Sequence, residues 1–187
     1  MVKHILLISC LLLPVAAWAI YKPVRVLAPD LVSGITCKSV SICLDDTSRY
    51  TEAVKLYDEA IQFVISSVGE IKKKPRIIFC ATESCFKSFG FNKAAAHAVG
   101  TAGIVISQRA WKYYYIRHEI IHHLQAEKMG VISQWHSPPW FKEGMAYLLS
   151  QDPRKTLSRP NQEYREKFAQ WYKSTGKEKL WEASRKL

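Results

Sequence analysis

The sequence predicts a mixed α+β domain with a small sheet, one long helix near its middle and a helical C-terminal part. Three observations point there. Short β-type runs, "RIIFCA" and "GIVIS", precede the central helix. Several longer stretches repeat apolar residues at the spacing of one helical face. No repeat, low-complexity tract or linker divides residues 20–187, a length that suits one domain with a substantial core.

The chain opens with "MVKHILLISCLLLPVAAWA": one early lysine, an apolar run from Ile5 to Ala17, and the small-x-small ending Ala17-Trp18-Ala19. Residues 1–19 therefore read as a secretory signal cleaved after Ala19. An N-terminal membrane anchor competes with that reading. Ile5–Ile20 is 16 residues, short of the roughly 20 that span a bilayer. Even so, Trp18, Tyr21 and Lys22 supply an interfacial belt. Both readings imply export, to the periplasm or beyond if cleaved, or held at the inner membrane by residues 5–20 if not. Cysteine usage agrees. Four cysteines follow the N-terminal run, an even number in a compartment that permits disulfides. Three connectivities are open, and the local pairs Cys37–Cys43 and Cys80–Cys85 need the least chain reorganisation. Their spacings do not match a structural zinc knuckle.

Residues 20–36 read as an entry segment with "VRVLAP" as a short strand. In "YTEAVKLYDEAIQFVISSVGEI", Ala53, Leu56, Tyr57, Ala60, Ile61, Val64 and Val68 form one apolar stripe of a helix. Lys72–Lys74 and Pro75 end it, the lysines as a solvated end favoured by the helix dipole. "RIIFCA" is a strand and "ESCFKSFG" a helical turn. In "AAAHAVGTAGIVIS", Gly100 and Gly103 bracket a loop, His97 reads as a loop histidine, and Ile104–Ile106 as a strand. "RAWKYYYIRHEIIHHLQAEKMG" gives a helix from about Trp111 to Met129, stopped at Gly130. Its stripe carries Tyr115, His118, His122, Gln125 and Met129. "SQWHSPPWFKEGMAYLLSQDP" gives another, with Ser137 as N-cap and prolines in the first turn. The tail holds two helical patterns separated at Gly176.

Chemistry is concentrated in "HEIIHH", residues 118–123. His118 and His122 are four apart and share a helical face, and Glu119 follows the first. H-E-x-x-H on a helix binds zinc through two neutral imidazoles and sets the glutamate beside the metal's water. A catalytic zinc needs a third protein ligand and one open position. Glu127 is too near on the same helix, and His136 falls in the connecting loop. Glu143, 21 residues after His122, fits best: residues 130–139 then form a loop that brings a second helix back antiparallel. Gly144 beside it suits a close crossing of those two helices. His123 is about 100° round from His122 and reads as a polar bystander. Tyr113–Tyr115 read as core and cleft wall, Trp140 and Trp171 as core anchors.

The pairing of "HEIIHHLQ" with "WFKEGMAYLL" resembles the gluzincins, the peptidase MA-like zinc metallopeptidases. Their third ligand lies in a W-x-x-E-G-x-A-type segment, matched by Trp140, Glu143, Gly144 and Ala146. The resemblance covers about residues 100–150 and extends to a group of small secreted bacterial proteins. The metzincin pattern is absent, since residues 125 and 128 are Gln and Lys. The resemblance implies a zincin-like fold, Zn2+ held by His118, His122 and Glu143, and Glu119 as general base in hydrolysis of peptide bonds. It also implies an oxyanion-stabilising Tyr or His, for which Tyr147 and His136 are candidates that no motif decides between. Ile104–Ser107 is the expected cleft-edge strand, where an extended peptide or protein substrate adds by backbone pairing.

Two further classes stay open: a non-proteolytic zinc-containing envelope binding or assembly factor, and a hydrolase of non-peptide amides. The formal charge is 27 − 16 = +11, or 26 − 16 = +10 without Lys3. Such an excess attracts acidic substrates, anionic membranes or envelope polymers, although it is commonly only surface composition. No nucleic-acid motif accompanies it.

Overall fold

The computed structural model describes residues 20–187. The N-terminal run read as signal or anchor lies outside the described residues. Among those described, no helix is long and apolar enough to cross a membrane.

The architecture is α+β, with a small mixed five-stranded sheet. Its strands are β1 (Thr36–Cys37), β2 (Ile42–Leu44), β3 (Ile77–Phe79), β4 (Ala96–Val99) and β5 (Gly103–Ile106), in the order β1-β2-β3-β5-β4. β2, β3 and β5 run parallel, and the two outer strands are antiparallel to their neighbours. The three central strands are apolar and buried throughout, as strands covered on both faces must be. Their period of two divides two cores. Ile42, Leu44, Ile77, Phe79, Ile104 and Ile106 face a large helical core. Cys43, Ile78 and Val105 face a smaller one with Val26, Phe86 and Phe89. The disulfides Cys37–Cys43 and Cys80–Cys85, as the spacing predicts, join this smaller side.

Six helices complete the described chain: α1 (Tyr50–Ser67), α2 (Glu83–Ser88), α3 (Tyr113–Met129), α4 (Val131–His136), α5 (Pro139–Leu149) and α6 (Asn161–Ser184). α1 buries the apolar stripe read from its sequence. α6 has one non-helical residue, Gly176, where the sequence puts its break.

Several expectations give way. "VRVLAP" is not a strand: Lys22–Leu27 and Pro29–Leu31 form 3-10 turns with a proline at each start, a position that suits fixed φ and a missing N–H. Val26 then caps the smaller core instead of extending the sheet. α1 ends at Ser67, so Lys72–Lys74 is no helix end. The loop is tied to α3, with the amides of Lys72 and Lys73 donating to the Glu127 carboxylate at 2.9 and 2.8 Å. That bond also gives Glu127 a structural task away from the histidines.

The cleft-edge strand is β4, not Ile104–Ser107. β5 is buried between β3 and β4, and His97 lies in β4 rather than in a loop. The connection over 130–139 contains α4. Gly130, at φ +88°, turns the chain between α3 and α4, a conformation that costs glycine little. Ser137 is not the cap of α5. Pro138 occupies that position, while the Ser137 hydroxyl donates to the Ser133 carbonyl at 2.8 Å. Gly144 does mark a close approach, but to α6: a Cβ there would collide with the Tyr164 carbonyl and lie 2.7 Å from the Phe168 Cβ.

Candidate metal centre

α3 is packed against α1, the sheet and α5. Ile116, Ile120, Ile121 and Leu124 enter the large core. On its remaining sides it buries His118, Glu119, His123 and Gln125. Polar side chains in such surroundings are destabilising unless partnered, and their partners define the site.

One helical turn brings the Nε2 atoms of His118 and His122 to 3.1 Å from each other. α5 returns alongside, and a Glu143 carboxylate oxygen lies 3.7 Å from Nε2 of His118 and 3.5 Å from Nε2 of His122. All three ligand atoms fall within 4.8 Å of one another. The donor set suits zinc, because tetrahedral bonds of about 2.0–2.1 Å have edges near 3.3–3.4 Å. The electrostatics couple two of the three residues. Burial opposes charge on His122, yet the neighbouring Glu143 carboxylate outweighs it and pushes the imidazole up to about 9. Burial likewise opposes charge on Glu143, but the neighbouring His122 and His118 imidazoles hold it far below the usual carboxylate range. The carboxylate and the His122 imidazole thus hold each other in their charged forms.

Gln125, which sequence reasoning noted on the stripe without giving it a role, ties the cluster together. Its Oε1 accepts from Nδ1 of His122 at 2.9 Å, which turns Nε2 of that ring toward His118 and Glu143. Its Nε2 donates to the Lys142 carbonyl at 3.0 Å, linking α3 to α5 next to Glu143. Gln134 of α4 donates to the His122 carbonyl at 2.6 Å. A polar residue three positions from a ligand, on a stripe otherwise destined for burial, was the signal available in the sequence.

The cluster lies in a cleft of about 630 Å³ whose lining includes Tyr115, His118, Glu119, His122, Glu143 and Tyr147. Residues 94–100, including β4, form one wall, and α4 and Tyr21 contribute to the rim. No family model, curated protein or solved structure matches this chain. The site's chemistry therefore rests on its own geometry.

The two undecided residues separate. Tyr147 stands in the cleft, its ring 4.5 Å from that of His118 and its hydroxyl accepting from Asn161 at 3.1 Å. Burial and the nearby Glu143 push its hydroxyl up to about 12, so it keeps its proton. Arg154, braced by Asp152, donates to the Tyr115 hydroxyl at 3.3 Å and lies 5.8 Å from the Tyr147 ring. His136 lies outside the cleft, bonded to the Ile132 carbonyl at 2.9 Å. His123 also lies apart, fully buried, with Nε2 donating to the Lys73 carbonyl at 2.8 Å. Burial lowers its pKa and keeps it neutral.

Proposed function

We propose that this chain is an exported zinc metallopeptidase of gluzincin type with a zincin-like fold. The observation that carries the reading is the meeting of His118, His122 and Glu143 at tetrahedral-edge distances on the wall of an open cleft, with Glu119 beside them. Zn2+ held by those three residues would act as a Lewis acid and lower the pKa of a water in the cleft.

Glu119 would take the proton of the attacking water and pass it to the leaving amine. Tyr147, still protonated at neutral pH, offers its O–H to the oxygen that becomes negative as the carbonyl is attacked. The Asn161 amide already occupies one lone pair of that hydroxyl, which frees its proton to face the cleft. β4, the sheet edge along the cleft, suits an extended peptide that pairs through its backbone. The two disulfides accord with export to an oxidising compartment.

The test is a peptide-library digest with zinc-loaded full-length protein and its Glu119→Gln variant. Cleavage by the wild type, reduced about 10²–10⁴-fold in the variant with zinc content unchanged, is the expected result. Zinc bound without cleavage of any library member would instead support the non-proteolytic binding factor.

A further inference from the structure

We propose that the face formed by α4, the β4–β5 turn and the Lys72–Lys74 loop docks on an anionic lipid bilayer, so that the cleft opens at the membrane surface. Three separate features converge on this face, and none depends on what the cleft does.

The first is apolar exposure. Val131, Ile132 and Trp135 are 50, 75 and 74% exposed on a helix of six residues. Trp135 is four residues from Val131 and three from Ile132, so the three share one side of α4. A tryptophan beside aliphatic residues on a short exposed helix is suited to the lipid headgroup boundary.

The second is charge. The lysines at 72, 73 and 74 are all exposed. Buried His123 bonds through Nε2 to the Lys73 carbonyl, and its ring lies beside the backbone of Gly100. Gly100 in turn sits against Val131, whose Cγ2 is 3.3 Å from where a Cβ on that glycine would stand. Lys128 lies in the last turn of α3, one residue before Met129 ends it. The acidic neighbours are Glu70 and Glu127, and Glu127 is already engaged by the amides of the lysine loop. The resulting cationic excess attracts this face to an anionic leaflet.

The third is where the N-terminal run enters. The apolar stretch of residues 5–17 leads directly to Ile20 and Tyr21, which are 83 and 63% exposed. Tyr21 lines the same cleft as Val131 and Trp135. Where that run is kept as an anchor, the chain's most lipophilic segment joins the body at the cleft rim.

A second copy fits this face poorly. A two-fold contact would set one lysine loop against another, and three apolar side chains fall far short of the roughly 800 Å² per partner of a stable interface.

The experiment follows amide exchange in the full-length protein with phosphatidylglycerol-rich vesicles, with phosphatidylcholine vesicles, and without lipid. Because the N-terminal run can hold the chain on a vesicle by itself, the readout is exchange at residues 99–102 and 131–136 rather than co-sedimentation. The expected result is slowed exchange there on phosphatidylglycerol, reversed by salt. In Ile132→Ser/Trp135→Ser, whose altered side chains are exposed and leave the core intact, that protection falls roughly tenfold. In Lys72→Gln/Lys73→Gln/Lys74→Gln it weakens and loses its salt dependence. Unchanged exchange on vesicles that hold the chain would overturn the proposal. So would protection that grows with protein concentration without lipid, which marks a second copy, or equal protection by soluble dextran sulfate, which marks a polyanion site.

Discussion

α1 and α3 are nearly equal in length, 18 and 17 residues, and pack against each other in the same large core. They bury different chemistry. α1 buries Ala53, Leu56, Tyr57, Ala60, Ile61 and Val64, and the one hydroxyl among them donates to the Pro75 carbonyl at 3.1 Å. α3 buries five aliphatic side chains of similar kind together with His118, Glu119, His123 and Gln125. Folding alone accounts for α1, because its stripe is what a helix needs to cover a sheet. It does not account for α3. Each buried polar group there is destabilising by about 1–3 kcal/mol when unpartnered, and a leucine at most of those positions would pack without that penalty. His118 and Glu119 line the cleft and Gln125 braces His122 beside it, while His123 is partnered apart from it by the Lys73 carbonyl.

The contrast can be broken from the α1 side first. Ile61→Ala is expected to lower unfolding free energy by about 2–5 kcal/mol in chemical denaturation, with zinc content per folded molecule unchanged. Loss of zinc from the folded variant would show that the two helices are not separable in this way. Gly144→Ala comes next. The new Cβ meets the backbone of α6, so a cost of about 1–3 kcal/mol is expected. Because α5 must shift to relieve the collision, zinc affinity should fall along with the melting temperature. The smallest effect belongs to Gln125→Ala, which frees the His122 ring and cuts one link to α5. Zinc affinity by competition with a chelator should fall about 10–100-fold. If it moves by less than twofold, Gln125 is only a packing residue.

The same contrast explains what was legible in the sequence. α1, α3 and α5 announce themselves through periodicity, since a 3.6-residue repeat of apolar side chains is local information. The disulfides are legible for a related reason, as Cys37–Cys43 and Cys80–Cys85 are close in the chain as well as in space. Glu143 is legible because its segment pairs with the histidines in a recognisable motif. β4 is not: "AHAV" has little intrinsic strand preference, and it becomes a strand by pairing with β5. "VRVLAP" fails in the opposite sense. Its valines favour a strand, but Pro23 and Pro29 start 3-10 turns that lay the segment over a sheet face. Gly144 signals a close contact without saying which helix makes it. Gln125 and Asn161 acquire their roles only once α4, α5 and α6 are packed.

The central claim is that α3 and α5 together hold one metal ion, and metal stoichiometry tests it most directly. Full-length wild-type protein, loaded with zinc, desalted and analysed by atomic emission, should retain one zinc per chain. Glu143→Ala treated identically should retain little, while its circular dichroism remains that of the folded protein. A wild type that keeps no stoichiometric zinc, or a Glu143→Ala variant that keeps it as tightly, would contradict the account.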